Sequence, residues 1–144
     1  MTELPPSIAA AVRESFARQA LMTTLGARLT LVEAGHVAIE MAYDPRLTQQ
    51  QGLFHGGVVG ALGDSAGGYA ALTAMAAGSD VVTVEYKINF MRGAVGPLLR
   101  AEGRVVRSGR TLTVARVDVM CGEPGALEPC AVLQATFLRI AGGG

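Results

Sequence analysis

His55-Gly56-Gly57-Val58-Val59-Gly60-Ala61-Leu62-Gly63-Asp64-Ser65-Ala66-Gly67-Gly68-Tyr69-Ala70-Ala71-Leu72 is the stretch whose reading decides the fold of this chain. The segment Gly57 to Ala77 is long enough for a helix of about five to six turns. At helical spacing Gly57, Gly60, Ala61, Asp64, Gly67, Gly68 and Ala71 fall on one side, and Val58, Leu62, Tyr69 and Leu72 on another. The bulky side is expected to fill the concavity of a sheet. Glycine costs a helix about 1 kcal/mol relative to alanine, so several of them imply a close approach on the small side, by a second helix across a dimer or by a thin ligand. Asp64 is the only charged residue between His55 and Gly78. Burying a carboxylate in so apolar a run is costly without a partner or a use, which makes it the first candidate for chemistry. A structural carboxylate capping another backbone segment is the competing reading.

Outward from this helix the pattern changes. Pro5-Pro6-Ser7 opens an earlier helix with Ile8, Val12, Phe16 and Leu21 near one face, running to about Thr23, and Gly26 ends it. Residues 28–32 and 36–43 alternate as a hairpin about Ala34-Gly35, and Asp44-Pro45-Arg46 begins a loop through Phe54. After Gly78-Ser79 the period becomes two, with Val82, Val84, Tyr86, Ile88 and Phe90 on one face and Thr83, Glu85, Lys87 and Asn89 on the other. Residues 97–107, 111–120 and 130–140 give three more strands, the first two joined at Ser108-Gly109. The order predicts an α+β fold, an antiparallel sheet wrapped against one long central helix, in a single domain spanning 1–144. Within it, 1–25 is an N-terminal helix, 26–141 the core and 142–144 a flexible tail.

Composition narrows the function classes. The 144 residues are 50% hydrophobic and 17% charged, with 12 basic and 12 acidic residues, which suits one packed core and argues against nucleic-acid binding. The second half is richer in Arg, which hints at an anionic ligand there. Asp64 and the interspersed glycines argue against a membrane span. Met1 to Ser7 has no basic patch and apolar run, so a cytoplasmic location is expected. Cys121 and Cys130 flank a Glu123-Pro124-Gly125 turn and can face one another across a hairpin, as free thiols in a reducing compartment. His and Cys have no metal-ligand spacing, so neither metal nor cofactor is expected.

His55-Gly56-Gly57 puts an unhindered backbone N–H at the positive end of a helix, a donor suited to an oxyanion developing on a carbonyl. His55 is either a general acid or base or a residue that holds the loop by hydrogen bonding. His55 and Asp64 are nine residues apart, roughly 13 Å along the axis, too far to touch one reacting atom in one chain. If the two share a site, two subunits build it, and an antiparallel pairing of two such helices gives two equivalent sites.

At these residues the chain resembles the hotdog-fold acyl-CoA thioesterases of the phenylacetate-pathway (PaaI-like) family, most specifically over 49–91. Gly52, His55-Gly56-Gly57 and Asp64 match the family's spacing, while Gln49 stands where the family has Asn, with Gln50 as a rival for that role. The resemblance implies a hotdog fold, hydrolysis of acyl-CoA to a carboxylic acid and CoA, and a homodimer at least, with a homotetramer as the fuller assembly. It implies Gly56 N–H as the oxyanion donor, His55 and Gln49 as orienting groups, Asp64 of the partner chain as general base or nucleophile, and Thr83 as the group that positions water. Gln50, Phe54, Gly57, Phe90, Met91, Arg92 and Arg110 are the expected substrate-binding residues, with Arg92, Arg107 and Arg110 placed at strand ends or turns for the CoA phosphates. Arg100 and Arg104 share a strand face with Glu102 and read as mutual charge pairing. A hydratase or dehydratase acting on acyl thioesters, and a non-catalytic acyl-CoA-binding domain, are the alternatives.

Overall fold

The computed structural model describes residues 3–142, and the last two glycines of the expected tail lie outside the described residues. Among the described residues three α-helices and six strands follow in the order α1 (Pro6–Arg18), α2 (Ala20–Leu25), β1 (Arg28–Glu33), β2 (His36–Ala42), α3 (Gly56–Thr73), β3 (Ser79–Phe90), β4 (Leu98–Ser108), β5 (Leu112–Glu123) and β6 (Ala126–Ala141), with one short 3-10 turn at Pro45–Leu47 between β2 and α3. All strand pairs are antiparallel in one sheet of order β1-β2-β4-β5-β6-β3, which packs against α3 as a hotdog fold does. No helix among the described residues is long and apolar enough to cross a membrane.

The central helix packs differently from the sequence expectation. Added Cβ atoms at Gly63, Gly67 and Gly68 would meet Leu133, Val117 and Phe137 of the chain's own sheet. The closest approach runs the other way, from sheet to helix, where a Cβ at Gly103 would stand 2.5 Å from the Ala66 carbonyl oxygen. The helix glycines thus let α3 lie low on β4, β5 and β6. The expected helix-to-helix stripe is corrected at Gly67 and Gly68, which are buried beneath Phe137 in the same chain. β5 shows the cause in its regular alternation, with Ala115, Val117 and Val119 fully inside. Helix α3 also starts one residue earlier than expected and ends at Thr73, where the Thr73 hydroxyl donates to the Ala70 carbonyl and accepts from Gly35 N–H.

Three further elements depart from the expectation. The N-terminal helix is two helices, because Gln19 takes extended backbone (φ −77°, ψ 102°) between α1 and α2. Gly142 is tied down by donating to the Gly78 carbonyl at 2.9 Å, so the expected flexible tail does not begin there. In β3 the pairing with β6 slips between Thr83 and Glu85, which leaves Val84 as an extra residue. That bulge flips the alternation: Thr83 reaches α3 from one side of it, while Tyr86 and Phe90, on the far side, also reach α3 at Gly60 and Gly56. The expected segregation of Thr83 from Tyr86, Ile88 and Phe90 is therefore wrong for the part of the strand that meets the helix.

Cys121 and Cys130 are buried free thiols near the β5–β6 hairpin. Burial, and then the neighbouring Cys121, push the Cys130 thiol up to about 12. The Arg100, Arg104 and Glu102 group pairs as expected, and His36 joins it by a 2.7 Å contact from Nε2 to Glu102. Burial works against the Glu102 charge, but hydrogen bonds from His36 and Arg100 hold its carboxyl below the ordinary value.

Candidate active site

The loop before α3 is built by Gln49. Its Oε1 accepts from Gln51 N–H and Leu53 N–H, its Nε2 donates to the Gln51 side chain at 2.9 Å, and Tyr43 closes the turn by donating to the Gly52 carbonyl. The loop delivers His55 as the N-cap of α3, where Nδ1 accepts from Gly57 N–H at 2.8 Å. Nδ1 thereby serves as the acceptor nitrogen of the ring. A Cβ at Gly57 would sit 2.9 Å from that Nδ1, which explains the second glycine of the pair. Gly56 N–H has no acceptor among the described residues, as befits the first turn of a helix. Phe90 lies over Gly56, with ring carbon Cζ 3.2 Å from where a Cβ would be.

Asp64 sits half-buried two and a half turns further on. Burial pushes its carboxyl above the ordinary value, and a 2.8 Å hydrogen bond donated by the Thr83 hydroxyl opposes that rise. The bond lies within one chain and depends on the Val84 bulge that turns Thr83 toward the helix.

Most of the expected residues, though not His55, collect around two separate hollows. One, of about 330 Å³, is lined by Gln49, Phe54, Gly56, Phe90, Met91 and Arg92. The other, of about 150 Å³, holds Asp64 and Thr83. A larger hollow of about 570 Å³ lies on the outer sheet face by Lys87 and Arg116, and holds none of the expected site residues. Gln50 is exposed in the loop and Gly57 is exposed on the helix, outside both site hollows. Arg92 is engaged with the Glu128 carboxylate. Arg107 and Arg110 are exposed near the β4–β5 turn, where Ser108 contacts the Ala74 carbonyl at the C-terminal end of α3. That end is roughly 27 Å of helix from Gly56, so within one chain Arg110 does not join Arg92.

Sequence reasoning missed four residues beside Asp64. Ser15, Gln19, Ser65 and Asp80 line the smaller hollow with it. Ser15 and Gln19 belong to an amphipathic N-terminal region where polar residues read as solvent face, and only the packing against α3 gives them their partners Tyr69 and Ser65. Asp80 is at the strand start, its carboxylate accepting from Val81 N–H at 2.8 Å.

An antiparallel sheet around one helix, with a glycine-rich helix start and a half-buried carboxylate nine residues beyond its His cap, defines a hotdog-fold protein. The family model of the thioesterase superfamily matches residues 51–128, and the chain belongs to that superfamily. It is similar to a protein of Saccharolobus solfataricus named as a candidate esterase, 35% identical over 94 residues that make up 65% of this chain and 66% of that one. Among solved structures, a thioesterase family protein from Silicibacter pomeroyi is 43% identical with a TM-score of 0.91, covering 94% of this chain and 99% of the other. The PaaI protein of E. coli, from the phenylacetic acid degradation operon, has the same fold at 20% identity and a TM-score of 0.84, over 96% of this chain and 97% of that one.

Proposed function

We propose that this chain hydrolyses acyl-CoA thioesters to a free carboxylic acid and CoA, at a site to which two copies of the chain contribute. One observation carries the reading: a half-buried carboxylate with a hydroxyl partner and an unclaimed helix N-terminal N–H lie on one helix, too far apart to serve one carbonyl within a chain. Edge strand β3 supports the pairing of copies. It is bonded on one side only, and Val84 and Phe90 each stay 54% exposed.

In this site the thioester carbonyl oxygen takes the Gly56 N–H of one chain as charge develops on it. His55, by capping the helix, and Gln49, by ordering the loop, hold that N–H in place. Asp64 of the other chain takes a proton from water as water attacks the carbonyl carbon; the C–S bond then breaks and the leaving thiolate takes the proton. Alternatively Asp64 attacks the carbonyl carbon directly and the C–S bond breaks to expel the CoA thiolate. Water then cleaves the resulting acyl-enzyme anhydride, releasing the carboxylic acid, restoring the Asp64 carboxylate and supplying the proton the thiolate takes up. Thr83 orients the carboxylate or the water. The raised carboxyl of Asp64 makes it a stronger base than an ordinary aspartate. A hydratase built on His55 as proton carrier fits less well, because its Nδ1 is occupied by Gly57 N–H.

The test mixes two inactive variants, Asp64→Asn and Gly56→Pro, each folded by circular dichroism. Hybrid dimers contain one intact pair of half-sites, so thiol release from acyl-CoA is expected to return on mixing after mild dissociation. Two folded, co-assembled variants that stay inactive together count against the shared site.

A further inference from the structure

We infer that Gln19, at the break between α1 and α2, is the end wall of the acyl chamber and restricts the substrate to short, uncharged acyl groups. The inference rests on hydrolysis at Asp64 and goes on to name the acyl class. The hollow beside Asp64 is small, about 150 Å³, less than half the volume of the one beside Gly56. Gln19 lines it and is bonded to the residue after Asp64: its Oε1 accepts from the Ser65 hydroxyl at 3.0 Å and its Nε2 donates to the Tyr69 hydroxyl at 3.0 Å. The Ser15 hydroxyl also contacts the Tyr69 hydroxyl, at 3.2 Å, and Phe16 packs edge-on against the Tyr69 ring.

The bonding within this ring decides its character. Gln19, Ser65 and Tyr69 satisfy one another, so the wall has little need of a polar group on the ligand. A longer chain has to displace Gln19 and leave partly buried hydroxyls unpaired, which is costly. A wall of this kind acts as a stop. Charge narrows the class further, because Asp64 and Asp80 both line the hollow and no Lys, Arg or His does. A carboxylate-ended acyl group enters as a third anion with no cation to meet it. Gln19 makes its bonds to Ser65 and Tyr69 from the extended position between α1 and α2.

The experiment measures thiol release from acetyl-, butyryl-, hexanoyl-, octanoyl-, palmitoyl- and succinyl-CoA by the full-length protein, a profile that needs no variant. Butyryl-CoA is expected to exceed octanoyl-, palmitoyl- and succinyl-CoA in kcat/KM by about tenfold or more. Gln19→Ala is expected to raise octanoyl relative to butyryl by about tenfold, Gln19→Ser to do the same if the first variant fails to fold, and Asp80→Asn to raise succinyl relative to butyryl. Preference of the natural chain for octanoyl or palmitoyl overturns the inference, and so does a folded Gln19 variant that keeps the natural profile. Succinyl hydrolysis equal to butyryl overturns the charge restriction. No thiol release from any of these thioesters overturns the hydrolase reading and this inference with it.

Discussion

The first turn of α3 and its middle are two halves of one helix that treat their polar groups in opposite ways. At the start, His55 and Gln49 spend their side chains on the chain itself, and what is left over is one backbone N–H facing an open hollow beside Phe90. In the middle, the polar group is a side chain, Asp64, held by one hydroxyl and pressed into a hollow less than half that size. One half presents a fixed dipole that costs nothing to keep. The other stores an electrostatic penalty, raised basicity, that only a reaction or a partner makes use of.

The contrast is broken most severely at the carboxylate. Asp64→Asn is expected to lower kcat/KM for acyl-CoA by about 10²–10⁴ in a thiol-release assay, the usual range for a lost acid–base group. The same change is expected to raise the melting temperature at neutral pH. Because the folded Asp64 carboxyl lies above the unfolded value of 3.8, its charged form destabilises the fold above the folded value. That penalty fades as pH falls through the window between the two, so the advantage of Asn should shrink in acid. A natural protein more stable than Asp64→Asn at neutral pH contradicts the desolvated carboxylate.

Gly56→Pro tests the other half with little disturbance of the fold. Gly56 is the first helical residue, a position that accepts proline, and His55 already has the extended backbone proline favours in its predecessor (φ −60°, ψ 137°). The nearest obstruction to the ring is the tip of Phe90. Loss of the N–H is expected to cost about 10²–10³ in kcat, with the thermal transition nearly unchanged. Full activity in a folded Gly56→Pro protein removes the oxyanion role.

Thr83→Val sharpens the comparison without abolishing either half. Its hydroxyl holds the Asp64 carboxyl down against burial, so removing it raises that group further, and the acid limb of the kcat/KM profile is expected to move to higher pH. An unmoved limb means the titration seen in the rate is not that of Asp64. His55→Ala is the mildest change. It removes an N-cap and is expected to cost about 1 kcal/mol of stability by denaturant unfolding, with a smaller loss of rate than Gly56→Pro. A rate loss as large as that of Asp64→Asn makes His55 a proton carrier instead.

Much of this was legible in the chain. The long helix, the hairpin at β1–β2, the strong β3 pattern and the spacing from His55 to Asp64 are all local properties, set by periodicity and by 1.5 Å of rise per residue. So was the fold class, because a helix apolar nearly all round needs a sheet to cover it. Periodicity could not reveal the Val84 bulge, since an extra residue in one strand is defined only by its pairing with β6. Nor could it say which way the glycines faced: Gly67 and Gly68 serve the chain's own Phe137, a choice made by how closely α3 settles on the sheet.

The residue types and spacing along the chain determined that a carboxylate and a helix N-terminus would share one helix without reaching each other, because helical rise sets that distance whatever surrounds it. Tertiary structure alone decided the company each keeps. Thr83 meets Asp64 across 19 positions of sequence, and Gln19 meets Ser65 across 46, contacts made at a strand bulge and a helix break. Both depend on packing between distant segments, which no local pattern encodes.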